Sequence, residues 1–421
     1  MDRLSYQLYE MAHLSVAPAR FISDATGLFF KNPLNPFSHT YLGRNIAAST
    51  ELFERLTRRY GKPTFGLPET MIDGKPVKIE EKIVWERPFC GLINFQRIGA
   101  VPKEARARLL IVAPMSGHFA TLLRGTVEAF LPDFDVYITD WADGRMVPLT
   151  AGRFSLDDYI DYVSAMFKHL HEKDPQTPIH VLAVCQPAVP VIASVALLEA
   201  ARQPYVPDSM ILMGGPIDTR RSPTVVNKLA EERGVDWFKR NCIFTVPFPY
   251  PGFGREVYPG FLQLSGFMAM NLDRHVNAHV EMFRNLVKGD GDSFEKQEDF
   301  YDEYMAVMDL DAEYYLQTVE SVFVRHDLPN GEMKHRGQRI DLGAIERVAL
   351  MTVEGENDDI SGVGQTQATH ALCPKIPDAR KLHYLQPEVG HYGVFNGSRF
   401  RREIAPRIKN FTRSMQRRGV K

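Results

Sequence analysis

Pro178–Leu198, PIHVLAVCQPAVPVIASVALL, carries three structural signals in one short span. Ile179 to Val184 is a β-branched-rich apolar run of the length expected for a buried strand. The run stops at Cys185-Gln186-Pro187, and apolar residues then return with helical period at Val191, Val195 and Leu198. Strand, sharp turn and helix in that order predict a nucleophile elbow, in which the turn lifts one reactive side chain above a sheet. The helix N-terminus below it supplies N–H groups and a positive dipole end, which favour a thiolate and an oxyanion. Pro187 is compatible, because the first helical turn needs no N–H from it. Relative to G-x-S-x-G, Ala183 and Pro187 replace the flanking glycines and Cys185 replaces serine. A cysteine on a βα unit is by itself an ordinary core residue, so its role depends on partners downstream.

Those partners follow two later strand-like runs. Asp358 comes after Val348–Val353, on the Gly/Asn/Asp-rich turn GENDDISG, and His391 comes after Leu382–Leu385, between Gly390 and Gly393. Cys185, Asp358, His391 is the nucleophile–acid–histidine order of α/β-hydrolases. All three stand where strands end, the edge of an open sheet at which ligands bind. A thiol with a pKa of about 8.5 is only partly ionised at neutral pH. His391 is therefore expected to accept its proton and Asp358 to orient the imidazole, so that Cys185 attacks an acyl carbonyl and forms a thioester. Gln186, directly after the nucleophile, and Ser116, in the loop Met115-Ser116-Gly117, are the expected oxyanion donors. Asp359 is the rival for the acid. Glu354 and Glu356 read as solvated turn residues, and His180, His370 and His383 as structural.

The remaining pattern agrees with this placement. Strand-like runs at Val77–Trp85 and Gly91–Arg97 predict an antiparallel hairpin at a sheet edge. Runs at Leu109–Ala113, Val136–Thr139 and Met210–Met213 alternate with helical stretches, the signature of a mainly parallel sheet with helices on both faces. The expected organisation is a helical segment and turn-rich linker over 1–76, an α/β core over 77–218, an inserted lid over 219–342, and the rest of the core over 343–421. Within the insertion, CIFTVPFPYPGFGREVYPGF reads as an aromatic-lined loop, followed by helical faces at Val276, Val280 and Phe283 and at Tyr301, Tyr304 and Met308. Met115, His118, Phe248, Tyr250 and Phe253 are the candidate substrate contacts. In the first 60 residues, Leu4, Leu8, Met11 and Leu14 form one amphipathic stripe and Ile46, Phe53, Leu56 and Tyr60 another. These stripes serve either to dock helices on the core or to adhere to an apolar partner.

Composition narrows the function class. The chain has 421 residues, 44% of them hydrophobic and 24% charged, with a net charge of −2, so nothing in its charge calls for nucleic acid or an anionic membrane. No apolar stretch approaches the ~20 residues of a bilayer span, and no secretory signal opens the sequence. Cys90, Cys185, Cys242 and Cys373 lack metal-ligand spacing, so no metal or cofactor is expected, and reduced thiols in the cytoplasm are the simplest reading.

Eight segments together resemble the intracellular polyhydroxybutyrate depolymerases: VCQPAVP, GENDDISG, VGHYGVFNG, NPLNPFSHT, ELFERLTRRYGKP, MSGHFATLLRGTVE, YITDWADGRMVP and HDLPNGEM. The resemblance implies an α/β-hydrolase with a lid and a triad on Cys185, Asp358 and His391. It also implies action on amorphous polyester at the granule surface in the cytoplasm. The signal peptide, serine nucleophile and separate binding domain of the secreted depolymerases are not evident. Two alternatives stand beside it: a polyhydroxyalkanoate synthase, which normally keeps glycines around its cysteine, and a non-catalytic granule-coat protein. Hydrolysis against thiolysis by coenzyme A, and self-association, stay open.

Overall fold

A computed structural model describes residues 2–99, 106–270 and 302–415. Its centre is a sheet of nine strands: β1 (Glu69–Ile72), β2 (Lys75–Arg87), β3 (Cys90–Ile98), β4 (Arg108–Val112), β5 (Asp135–Trp141), β6 (Ile179–Val184), β7 (Ser209–Met213), β13 (Ala349–Gly355) and β14 (Lys381–Gln386), with β8 to β12 lying outside it. Their order is β1-β2-β3-β5-β4-β6-β7-β13-β14. The first three strands and the β3–β5 pair are antiparallel, and every pair from β5 onward is parallel. β4, β6, β7 and β13 are buried along their whole length, which is why RLLIV, IHVLAV and SMILM are continuous or nearly continuous apolar runs rather than alternating ones. β2, with Lys and Glu spread through it, lies towards the edge and is largely exposed. The segment read as linker contains β1, because Thr70 and Ile72 bury one face of a short strand against β2.

Helices α4 (Arg124–Phe130), α5 (Leu156–Lys173) and α6 (Ala188–Ala200) connect the parallel strands. A reciprocal capping box between Ser155 and Asp158 starts α5. α6 packs beside α5 and is buried almost all round, as expected of AVPVIASVALLEA with no charge before Glu199. The architecture is the α/β-hydrolase fold, a mainly parallel central sheet between helices.

Between β7 and β13 the chain forms a cap. It begins with α7 (Val225–Cys242), whose path breaks at Gly234, where φ is +66°. The aromatic run read as a loop instead supplies β8 (Phe244–Thr245) and β9 (Glu256–Tyr258), which join β10 (Leu310–Asp311) in a three-stranded antiparallel sheet. α8 (Gly260–Met270) and the helix Ala312–Thr318 follow the two ends of that sheet, and a ribbon of β11 (Lys334–His335) and β12 (Gln338–Arg339) leads back to the core. Tyr304 and Met308 are both buried, but Met308 lies beyond the helical turn that carries Tyr304. Val276, Val280, Phe283 and Tyr301 lie outside the described residues.

The N-terminal layer comprises α1 (Asp2–Ser15), α2 (Ala17–Lys31) and α3 (Tyr41–Thr57). Of the leucine stripe on α1, Leu8, Met11 and Leu14 are exposed and the side chain of Leu4 lies outside those described, whereas Tyr6 is buried and donates from its hydroxyl to Asp309 Oδ2 at 2.7 Å. Tyr9 stacks on Phe261 at 3.8 Å between centroids. α2 and α3 pair through small residues, with a Cβ built on Gly27 lying 3.0 Å from Thr50 Oγ1. Their large side chains therefore face outward, and Phe21, Ile22, Leu28, Phe29 and Leu42 are all exposed.

Candidate active site

Cys185 occupies the turn between β6 and α6 with φ +67°. That left-handed conformation is costly for a residue with a side chain and is held only where surrounding structure imposes it. Here the Cys185 N–H donates to Met213 O at 2.7 Å, and its C=O accepts from Ala188 N at 3.1 Å. The missing elbow glycines are compensated on the next strand. A Cβ on Gly215 would lie 2.2 Å from Ala188 Cβ, so the helix can begin beside Cys185 because residue 215 has no side chain. Thr366 Oγ1 fixes Gly215 from the other side, accepting from its N–H at 2.7 Å and donating to its C=O at 2.9 Å.

Cys185 is partly accessible, whereas Cys90, Cys242 and Cys373 are buried. Burial pushes the Cys242 thiol up to about 11 and that of Cys373 up to about 12, and raises that of Cys90 well above its ordinary value. None of the three is a competent nucleophile near neutrality.

Asp358 and His391 meet as their positions in the sequence suggest. His391 Nδ1 lies 2.8 Å from Asp358 Oδ2, and the carboxylate's other oxygen accepts from the backbone N–H of Ile360 at 2.9 Å and Ser361 at 2.7 Å. Asp359 is exposed, so Asp358 is the carboxylate beside the histidine. Gly214, at φ +54°, makes room for the pair, since a Cβ there would stand 3.3 Å from both Asp358 Oδ2 and His391 Cε1. Burial works against charge on His391. The Asp358 carboxylate, hydrogen-bonded to its Nδ1, outweighs it together with the neighbouring Cys185 and raises the imidazole well above 6.5.

Glu354 is not a solvated turn residue. It is fully buried near the end of β13, and its carboxylate accepts from the N–H groups of Gly364, Thr366 and Gln367 at 2.8, 2.7 and 2.8 Å. It thereby shapes the loop that carries Thr366. The other histidines read as structural lie against side chains of neighbouring strands. His180 pairs with Ser209 Oγ at 2.8 Å, and His370 and His383 share Thr352 Oγ1 at 2.8 and 2.9 Å.

Cys185 and His391 open into a cavity of about 300 Å³ between the sheet's carboxyl edge and the cap. Met115, Ser116, His118 and Gln186 line it. His118 is buried and neutral: burial takes its pKa down to about 4, and its Nε2 lies 3.1 Å from Tyr304 O. The cap clasps the Met115–His118 loop directly. Tyr314 Oη donates to Met115 O at 3.1 Å, and Met308 N donates to Gly117 O at 2.7 Å.

Phe248, Tyr250 and Phe253 do not reach this cavity. Phe248 is 80% exposed and Phe253 57%, while Tyr250 turns to Arg59 and Glu10 of the N-terminal layer. Arg255, a buried guanidinium bonded to the carbonyls of Val147, Pro148 and Gly152 and to Asp311, pins the β8–β9 turn away from Cys185. The aromatic wall comes instead from Phe238, Tyr258, Tyr314, Tyr315, Tyr392 and Phe395. Of these, Tyr258 belongs to the aromatic run singled out in the sequence, and Tyr392 and Phe395 lie close to His391 in the chain.

Residues 214–416 match the family model described as PHB de-polymerase C-terminus. A curated relative, the poly(3-hydroxyalkanoate) polymerase subunit of Haloferax mediterranei, is 21% identical over 68% of this chain. The chain spans about half of that relative's length, 54%. Among solved structures, a soluble variant of monoglyceride lipase from Saccharomyces cerevisiae is 10% identical, with a TM-score of 0.47 over 82% of this chain and 97% of that one. A thermophilic esterase from Thermogutta terrifontis is 12% identical, with a TM-score of 0.41 over 83% and 98%. No described helix is long and apolar enough to cross a membrane.

Proposed function

We propose that the protein is a cysteine-dependent depolymerase that cleaves ester bonds of amorphous poly(3-hydroxybutyrate) in cytoplasmic granules. The carrying observation is the hydrogen-bonded His391–Asp358 pair beside a strained Cys185 at the floor of an apolar cavity. The match of residues 214–416 to a family described by this polymer supports the substrate class.

In this reading Cys185 gives its proton to His391, which holds it as the charged imidazole, and Cys185 Sγ attacks the ester carbonyl. The N–H groups of Gln186 and Ser116 receive the oxyanion. His391 returns the proton to the leaving alkoxide, which departs as the hydroxyl end of the displaced chain. Water, deprotonated by His391, then opens the thioester, releasing a carboxylic acid and the free thiol. Asp358 keeps the imidazole in the tautomer that both steps need. Met115 and His118 shape the entrance, and the exposed side chains of α2 and α3, with Phe248 and Phe253, supply adhesion to the polyester.

The polymerase relative favours one second reading, chain elongation from a hydroxyacyl-coenzyme A on the same cysteine. Purified protein mixed with native amorphous granules, with and without coenzyme A, and separately with 3-hydroxybutyryl-coenzyme A, tests both. Release of 3-hydroxybutyrate or its oligomers supports the depolymerase, a coenzyme A thioester indicates thiolysis, and polymer growth with coenzyme A release indicates the polymerase. Cys185→Ala and His391→Ala are each expected to abolish turnover, with Asp358→Ala retaining a residue of it. Release that is indifferent to Cys185→Ala overturns the proposal.

A further inference from the structure

The loop after β4 is held through alternate carbonyls. Ala113 O accepts from Trp141 Nε1 at 2.9 Å and Tyr159 Oη at 3.3 Å, Met115 O from Tyr314 Oη at 3.1 Å, and Gly117 O from Met308 N at 2.7 Å. The N–H groups of Met115, Ser116 and Gly117 find no acceptor among the described residues, and Pro114 O and Ser116 O find no donor there. Of the three peptides that offer a free N–H, Met115–Ser116 is therefore the one anchored at its carbonyl. The peptide is trans, and in a planar trans peptide the C=O and N–H point in opposite directions, so fixing one fixes the other. The anchor belongs to the cap, on the helix Ala312–Thr318, and Tyr314, Ser116 and Cys185 line the same cavity. Tyr314 is 1% exposed, its ring packed against Phe154 and Tyr159 at 6.0 and 5.7 Å between centroids. A ring alone would fill that space; the buried hydroxyl needs a partner and takes Met115 O.

We propose that Tyr314 is a positioning residue for acyl transfer: by holding Met115 O, it aims the Ser116 N–H at the oxyanion that forms when Cys185 attacks. The inference rests on the acyl-transfer reading given above. A donor aimed before the reaction costs no reorganisation as charge develops, which is what makes an oxyanion hole effective. The cap thereby takes part in the chemistry. A core stripped of it would keep Cys185, Asp358 and His391 but lose the anchor on this peptide.

The test compares two reactions of Cys185 in the wild type and Tyr314→Phe: cleavage of p-nitrophenyl butyrate and alkylation by iodoacetamide, the other three cysteines being buried. Ester cleavage passes through a tetrahedral oxyanion, whereas in alkylation Sγ displaces iodide from carbon and no oxyanion forms. Tyr314→Phe is expected to lower kcat/KM for the ester by about ten-fold, short of the roughly 10²–10³ lost with a deleted oxyanion donor, and to leave the alkylation rate unaltered. An unaltered kcat/KM overturns the proposal. An equal fall in both rates also overturns it, because the hydroxyl then supports the whole site rather than the donor. Placing 4-aminophenylalanine or 4-methylphenylalanine at position 314 compares two rings of equal size with and without a donor, and decides the matter if Tyr314→Phe does not fold. The amino ring should retain most of the wild-type kcat/KM and the methyl ring should not; equal rates overturn the proposal. These outcomes leave the depolymerase reading intact, whereas a folded wild type that hydrolyses neither the ester nor granules removes that reading first and this one with it.

Discussion

Cys185 departs from an ordinary core cysteine through its backbone more than through its side chain. A φ of +67° at a non-glycine residue is maintained by hydrogen bonds to Met213 and Ala188 and by the empty space at Gly215. Gly215→Ala would force a carbon within 2.2 Å of Ala188 Cβ. It is expected to cost about 1–3 kcal/mol by overpacking, and to lower turnover as the nucleophile shifts; denaturant midpoints and ester kinetics measure the two effects. His391 gives a pH signature. Its folded pKa lies above the ordinary 6.5, so its contribution to stability is complete below that value and is lost as the pH rises through the folded pKa. Denaturation midpoints followed upward from pH 6.5 should therefore fall more steeply in the wild type than in His391→Gln. Parallel slopes would mean that the imidazole is not held in its charged form.

At the scale of elements, the site depends on loops tied to one another across neighbouring strands. Glu354 holds the N–H groups of residues 364, 366 and 367, Thr366 clamps Gly215, and Gly215 abuts the start of α6. Glu354→Gln turns an amide NH₂ toward backbone donors, at an expected cost of about 1–3 kcal/mol. Because the same loop adjoins the elbow, kcat for a soluble ester should fall as well, with KM less affected. Thermal unfolding with unchanged kcat would show that the loop stabilises the fold without positioning the nucleophile. Arg255 plays a comparable part in the cap. It fixes the β8–β9 turn against the carbonyls of residues 147, 148 and 152, so Tyr258 reaches the cavity wall and Phe248 does not.

Across the whole molecule, two apolar surfaces serve different ends. One is the cavity; the other is the outer side of the α2–α3 pair, where Phe21, Ile22, Leu28, Phe29 and Leu42 meet solvent. Small residues at the helix contact leave the large ones outside, the reverse of a helix docked on a core. If that face adheres to the polyester, Phe21→Ser combined with Phe29→Ser should reduce co-sedimentation with granules and slow granule hydrolysis several-fold. The same pair of changes should leave p-nitrophenyl ester hydrolysis unaltered. Equal loss on both substrates would show the face to be structural only.

The parallel strands, the β6–α6 turn at Cys185, and the placement of Asp358 and His391 after neighbouring strands were legible in the primary structure, because buried strands and strand-end turns impose local constraints on residue type. Six of the strand-like runs lie inside observed central-sheet strands, and the two that overrun a strand, Leu109–Ala113 and Val348–Val353, do so by one residue at one end. Leucine stripes at helical spacing say that an apolar face exists, not which way it points; the Gly27–Thr50 approach and the burial of Tyr6 decided that. The tertiary structure likewise chose Asp358 over Asp359, moved Glu354 from solvent to the interior, and turned Phe248, Tyr250 and Phe253 away from the cavity. Each of these outcomes depends on a partner distant along the chain, and no local pattern of residues records how such a partner is met in space.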